Sequence, residues 1–136
     1  VNTFILKVLN KIDPKDFNSL YFPEMNFSDE DPKFAVELLE KVVVKHDELK
    51  LELKGRTPNW DSDRIAIIDD ILIKMATVEL LYFPTIPTKV TINEYIEISK
   101  DYSTPKSNIF VNGILDKMIK DFDQKGRLNK TGRGLL

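Results

Sequence analysis

The sequence contains no cysteine and only one histidine, His46. Disulfide bonds and thiol chemistry are therefore excluded, and a histidine-based metal site is not expected because no second histidine or cysteine is present. We predict neither a metal nor another cofactor. The absence of disulfides also fits a protein of the cytoplasm, where thiols stay reduced.

Long apolar runs are equally absent. No stretch of about 18 consecutive apolar residues occurs, and the start, VNTFILKVLNKID, lacks the apolar core and cleavage site of a signal peptide. We therefore expect a soluble protein with no membrane partner. Because the first residue is Val1 rather than methionine, we also expect that the natural protein has further residues upstream.

The chain also lacks a strong net charge. The value of −2 does not provide the bulk attraction with which many proteins hold nucleic acid. Residues 120–136 nevertheless carry five basic and two acidic side chains: Lys120, Lys125, Arg127, Lys130 and Arg133 against Asp121 and Asp123. We predict a single helical domain over residues 1–122 and a flexible basic tail over residues 123–136.

Helical periodicity is what the sequence does show. In SNIFVNGILDKMIKDF, residues 107–122, five large apolar side chains fall on one helical face: Phe110, Ile114, Leu115, Met118 and Phe122. Asn112-Gly113 is a turn signal between strands, but glycine costs only about 1 kcal/mol in a helix, whereas burying each apolar side chain contributes roughly 1.5–3 kcal/mol. We predict a helix in which Gly113 lets another helix backbone approach closely.

The first half of the chain has the same spacing. Apolar residues predict a short amphipathic helix over residues 4–12. A long helix is predicted to start at Asp31-Pro32, which has the pattern of an N-cap followed by proline, and to end at Gly55. Its spacing places His46 on the apolar face, so we interpret His46 as a structural histidine at the interior or its boundary.

The second half continues with a very apolar central helix, in which Asp70 and Lys74 have the spacing of a helical ion pair. Thr91-Ile92-Asn93-Glu94 has capping-box spacing and predicts the start of the next helix. No segment predicts a strand convincingly. The fold class is therefore all-α, with about five to seven helices.

Patterns for catalysis are missing. The sequence has no phosphate-binding glycine loop and no nucleophile with a histidine base. Asp69 and Asp70 cannot act together on one atom, because adjacent helical residues point about 100° apart. The residues alone therefore predict a helical binding module with no catalytic residues and no identified partner.

Residues 63–118 resemble the NusB transcription antitermination proteins. Three pieces carry the resemblance by their order and spacing: VEL at 78–80, P-x-K-V-x-I-N-E at 87–94, and S-x-x-F-V-N-G-I-L-D-K at 107–117. The similarity weakens over residues 33–62 and is not visible in residues 1–32. It implies a compact fold of two small helical subdomains packed against each other.

The resemblance also implies a function. Members of this family pair with NusE, a ribosomal protein of the small subunit, and the heterodimer binds boxA RNA of ribosomal RNA operons. The start of the final helix faces RNA in the family, which implies RNA contacts by Lys106, Ser107 and Phe110. Asp63 and Asp69 are the corresponding candidates for acidic contacts to NusE.

Structural roles for these residues stay open at this point. Phe110 belongs to the apolar stripe of its helix, and Asp63 also suits the first turn of a helix through the helix dipole. The family's first helix carries RNA-binding arginines, whereas residues 1–32 contain no arginine and three lysines, Lys7, Lys11 and Lys15. The RNA contact is therefore expected to be weaker or to lie upstream of Val1.

Two alternative functions accompany this interpretation. The chain is similar enough to the RNA-binding domain of certain ribosomal RNA methyltransferases to be a fragment of such an enzyme. Against that, it continues into the basic segment KGRLNKTGRGLL instead of a glycine-rich cofactor-binding region. The other alternative is a diverged interaction module without RNA binding, which boxA affinity in the presence of NusE would distinguish.

Overall fold

The structure is a computed structural model of the chain, and it describes residues 30–54, 56 and 65–131. This part of the chain forms five helices and no strand: α1 (Asp31–Val44), α2 (His46–Lys54), α3 (Ile67–Tyr82), α4 (Thr88–Tyr102) and α5 (Ser107–Gln124). The all-α prediction is confirmed. The helix predicted over residues 4–12 lies outside the described residues.

By its internal contacts the chain divides into two compact units, Val1–Pro32 and Lys33–Leu136. Within the second unit, α3 is the central element, since its side chains contribute to both hydrophobic clusters. One cluster joins α3 to residues of α2, α4 and α5, including Leu53, Tyr95 and Leu115. The other joins it to Leu38, Leu49 and Phe83, and Met75 packs against both clusters.

The long helix predicted up to Gly55 is two helices. α1 ends at Val44, Lys45 forms a turn, and α2 begins at His46. Three consecutive valines end α1, and β-branched residues have lower helix propensity. Because the break interrupts the apolar stripe, His46 is exposed while Leu49 is buried, so the predicted position of His46 on the apolar face is wrong.

α4 begins at Thr88, directly after Pro87, and not at the predicted capping box. The Pro87 carbonyl oxygen accepts the first backbone bonds of the helix, from the N–H groups of Val90 and Thr91 at 3.0 and 3.2 Å. Thr91 is fully buried, and its hydroxyl donates to the carboxylate of Glu79 at 2.7 Å. The capping-box prediction is therefore wrong, since the threonine is used for helix packing.

α5 confirms the helix predicted from SNIFVNGILDKMIKDF and continues to Gln124. It ends in a Schellman motif at Gly126, whose φ is +62°. The Arg127 N–H donates to the Phe122 carbonyl oxygen at 2.8 Å, and the Gly126 N–H donates to that of Asp123 at 2.9 Å. Glycine is required here because its backbone adopts a left-handed conformation.

Two arginines pack over the fully buried ring of Phe122. The guanidinium carbons of Arg56 and Arg127 lie 5.1 and 4.7 Å from the ring centroid. Both guanidinium groups also bind the carboxylate of Glu52, and Arg56 binds Asp121 as well. This group of five side chains, the Phe122 cluster, ties the end of α5 to α2.

The segment that follows α5, described as far as Thr131, lies within the range predicted as a flexible tail and makes contacts with the rest of the fold. Lys130 donates to the carbonyl oxygens of Glu79 and Phe83 at 3.1 and 3.0 Å, and the Thr131 N–H donates to that of Pro84 at 2.9 Å. Burial lowers the pKa of Lys130. The segment is anchored because a lysine ammonium satisfies carbonyl groups at the carboxyl end of α3, where the helix dipole favours a cation.

Gly113 does not have the role predicted for it. A Cβ atom built at this position would meet nothing within 4 Å, and the residue is exposed. The prediction of a close helix approach is wrong because the buried stripe of α5 uses the neighbouring Ile114 and Leu115 and leaves Gly113 toward solvent.

Replacing Gly113 with alanine is expected to stabilise the protein by about 0.5–1 kcal/mol, since helix propensity improves and nothing is displaced. Gly126→Ala is the matched control and is expected to destabilise, because alanine is strained at positive φ. Urea unfolding of both variants provides the measurement. A Gly113→Ala protein less stable than the parent would contradict the exposed position of this glycine.

The Phe122 cluster predicts a loss of stability in acid. Burial opposes ionisation of Glu52, but its hydrogen bonds with Arg127 and Arg56 outweigh burial and hold its pKa below the ordinary 4.5. The hydrogen bond from Lys125 lowers the pKa of Asp121 in the same direction. A carboxylate with a depressed pKa stabilises the fold at pH values above its unfolded-state pKa. That stability is lost as the pH falls below about 4.5.

Glu52→Gln is therefore expected to lower the free energy of unfolding at neutral pH and to flatten its decrease between about pH 5 and pH 3. Glu97→Gln removes an exposed carboxylate paired with Lys100 and is expected to change neither quantity much. Chemical denaturation at several pH values measures both. Equal pH dependence in the parent and Glu52→Gln would count against the role of this carboxylate.

Candidate nucleic-acid interface

The candidate interface lies at the junction of α4 and α5, in residues 103–110. Ser103 follows α4 in an extended conformation, with φ −121° and ψ −160°, and its N–H donates to the Ser99 carbonyl oxygen at 3.0 Å. The Ser107 N–H donates to the Thr104 carbonyl oxygen at 2.9 Å. These bonds define a tight connection between the two helices.

A buried carboxylate on α3 binds both ends of this connection. Asp69 is only 4% exposed. Its Oδ1 atom lies 2.6 Å from the Ser103 hydroxyl, and its Oδ2 atom lies 2.8 Å from the Ser107 hydroxyl. We call these three residues the Asp69 clasp. The clasp satisfies a charge that would be strongly unfavourable if it were buried without hydrogen-bond donors.

The hydrogen bonds of the clasp have a defined direction. An ionised carboxylate only accepts, so both serine hydroxyls donate to Asp69. The two hydroxyl oxygens are 2.9 Å apart, but neither has a second proton for the other. Ser107 Oγ then accepts from the Thr104 N–H at 3.1 Å and from the Thr104 hydroxyl at 2.8 Å. The chain of donors runs from Thr104 at the surface to Asp69 in the interior.

The other side of the connection faces solvent. Lys106 is the N-cap residue of α5, and it is exposed and forms no ion pair with a described residue. Phe110 lies one helical turn further on, half-buried and packed against the hydrophobic cluster of α5. A cation beside a partly accessible aromatic ring is suited to a phosphate and an unstacked base of single-stranded RNA.

The structure brings most of the predicted site residues together. Lys106, Ser107 and Phe110 share the first turn of α5, and the Asp69 clasp adds a fourth predicted residue to them. Asp69 and Ser107 use their polar atoms inside the fold, and only the other two present side chains to solvent. Asp63 lies outside the described residues.

Sequence reasoning missed Ser103 and Thr104. Ser103 and Ser107 have helical i, i+4 spacing, but the carboxylate that they share is 34 and 38 residues away in the chain. That distance hides the contact from any local pattern. The only available signal was an acidic residue, Asp69, in a helix that is mostly apolar.

A second buried carboxylate on α3 has the same arrangement. Glu79, in the VEL segment, accepts hydrogen bonds from the hydroxyls of Thr91 at 2.7 Å and Tyr95 at 3.1 Å. Burial and the neighbouring carboxylate raise the pKa of Tyr95, so its hydroxyl stays protonated and donates. Glu79 thereby fixes α4 against α3, and α4 in turn positions the connection that follows it.

The described helices and this surface define an all-helical domain with a polar, solvent-facing junction between its last two helices. None of the helices in the described ranges is both long and apolar enough to cross a membrane. The model of the NusB family matches residues 3–120. The chain belongs to the NusB family, as the resemblance of residues 63–118 predicted.

Several relatives are named transcription antitermination protein NusB. The protein of Salinibacter ruber is 47% identical over 111 residues, which is 79% of this chain and 69% of that protein. The protein of Chloroherpeton thalassium is 43% identical over 76% of this chain. The match spans about half, 49%, of the length of that protein. That of Methylacidiphilum infernorum is 41% identical over 71% of this chain and 68% of its own.

A solved structure supports the same fold. T. maritima NusB superposes with a TM-score of 0.66 at 32% sequence identity, and the match covers 70% of this chain and 67% of that one. This chain and T. maritima NusB therefore share both sequence similarity and the all-helical architecture.

Ser107→Ala is expected to lower the free energy of unfolding by about 1–3 kcal/mol, because one buried oxygen of Asp69 loses its donor. Ser99→Ala is the matched control, since Ser99 is equally buried but donates only to the Ile96 carbonyl oxygen at 2.7 Å. Urea unfolding compares them. Equal losses in the two variants would show that Asp69 does not depend on the Ser107 hydroxyl.

Proposed function

We propose that this chain is a non-catalytic transcription antitermination adaptor that binds NusE and, together with it, boxA RNA in the cytoplasm. The observation that carries the proposal is the placement of Lys106 and Phe110 on a solvent-facing turn held from behind by Asp69. This turn lies within the segment of strongest resemblance, and relatives of this chain are named for antitermination.

The proposed RNA contact combines two kinds of interaction. Lys106 neutralises a phosphate, which releases counterions and makes binding sensitive to salt. Phe110 stacks on an unpaired base, an interaction that depends little on salt. Since Arg127 and Lys130 are occupied by internal contacts, the described end of the chain offers RNA fewer cations than its composition suggests.

The proposed NusE contact lies at the amino-terminal end of α3. Ile67 and Ile71 are exposed there, at 78% and 42%, and exposed apolar side chains of this size favour a protein contact. Asp63 remains the proposed acidic contact to the basic partner. Asp69 supports this region from the interior and does not present its carboxylate to NusE.

The test is binding of boxA RNA by this chain in the presence of NusE. Lys106→Gln is expected to weaken binding and to lower the salt slope by about 0.7, the value for one phosphate contact on a single strand. Phe110→Leu keeps an apolar side chain in the cluster but removes the ring, so it is expected to weaken binding without changing the slope.

Lys100→Gln is the charge-matched control, because Lys100 is paired with Glu97 on the exposed face of α4. It is expected to leave binding unchanged. RNA affinity and salt slope that are the same in the parent, Lys106→Gln and Phe110→Leu would reject this surface. Failure of the folded parent to bind NusE or boxA RNA would reject the function itself.

A further inference from the structure

We propose that Asp69 is a positioning residue for RNA binding: through Ser103 and Ser107 it fixes the α4–α5 connection in the conformation that presents Lys106 and Phe110. This inference rests on the proposed function. A buried carboxylate thereby determines the shape of a binding surface without contacting RNA itself.

The first argument is how the connection is held. Its backbone bonds, from Ser103 to Ser99 and from Ser107 to Thr104, are local and leave its position against α3 undefined. The hydroxyl bonds to the two oxygens of Asp69 tie it to the central helix, at 2.6 and 2.8 Å. One carboxylate therefore fixes both ends of a connection that has only three residues between them.

The second argument is energetic. A binding loop that is already ordered loses less conformational freedom when its ligand arrives, so it binds more tightly. Releasing one end of the clasp is expected to weaken boxA binding about threefold to tenfold, through ordering cost and a misplaced Lys106. The part of the loss that comes from the misplaced Lys106 should therefore be absent when Lys106 has already been replaced.

Ser103→Ala releases the Oδ1 atom of Asp69, and Ser103→Thr restores the hydroxyl. Threonine suits this position because Ser103 has an extended backbone. The double variant Ser103→Ala/Lys106→Gln completes a double-mutant cycle. A purely structural role would lower thermal stability without coupling to Lys106, so the coupling separates positioning from stability.

The inference predicts that Ser103→Ala loses RNA affinity and part of the salt slope, and that Ser103→Thr regains both. The double variant is expected to lose less affinity than the two single losses combined and to have the same salt slope as Lys106→Gln alone. NusE affinity is expected to be unchanged. If Ser103→Ala does not fold, Thr104→Val, which removes a surface hydroxyl that donates to Ser107, takes its place in the cycle.

Full additivity in the cycle, or parental RNA affinity in Ser103→Ala, would overturn the positioning role while leaving the proposed function in place. A parent protein that binds no boxA RNA with NusE present would instead remove the proposed function and this inference together. The two failures are thus distinguished by the parent measurement.

Discussion

The buried carboxylates of α3 are the constraint on which the rest of the described fold depends. A carboxylate inside a protein requires hydrogen-bond donors, and α3 carries two buried carboxylates with exposures of 4% and 6%, Asp69 and Glu79. Each receives two hydroxyls spaced four residues apart: Ser103 and Ser107 for the first, Thr91 and Tyr95 for the second. These four bonds set the position of α4 and of the connection to α5, and thereby the position of the proposed RNA surface.

A second set of charges acts at the opposite end of α5 and limits what the basic end of the chain contributes to binding. Arg127 packs on Phe122 and binds Glu52, while Lys130 satisfies carbonyl groups at the end of α3. Because these cations are used within the fold, the proposed RNA contact depends on Lys106 and on stacking more than on the tail. The low net charge of −2 fits the proposal that RNA is bound together with a basic partner.

The sequence predicted the features that depend on local spacing. The helical class, the helix of residues 107–122 and the ion pair between Asp70 and Lys74, at 2.6 Å, follow from periods of three and four residues. The errors arose where tertiary packing overrides a local pattern: Thr91 caps nothing because Glu79 engages it, and Gly113 faces solvent. The resemblance supplied the candidate site residues, but only the fold shows that Asp69 is buried behind the proposed surface.

The most direct test of this account is amide NMR of the isotope-labelled chain bound to NusE, titrated with boxA RNA. The account predicts that, within the described residues, the largest saturable shifts fall in residues 103–110, with smaller shifts at Asp69 behind them. Shifts centred on the Phe122 cluster, with residues 103–110 unchanged, would contradict it.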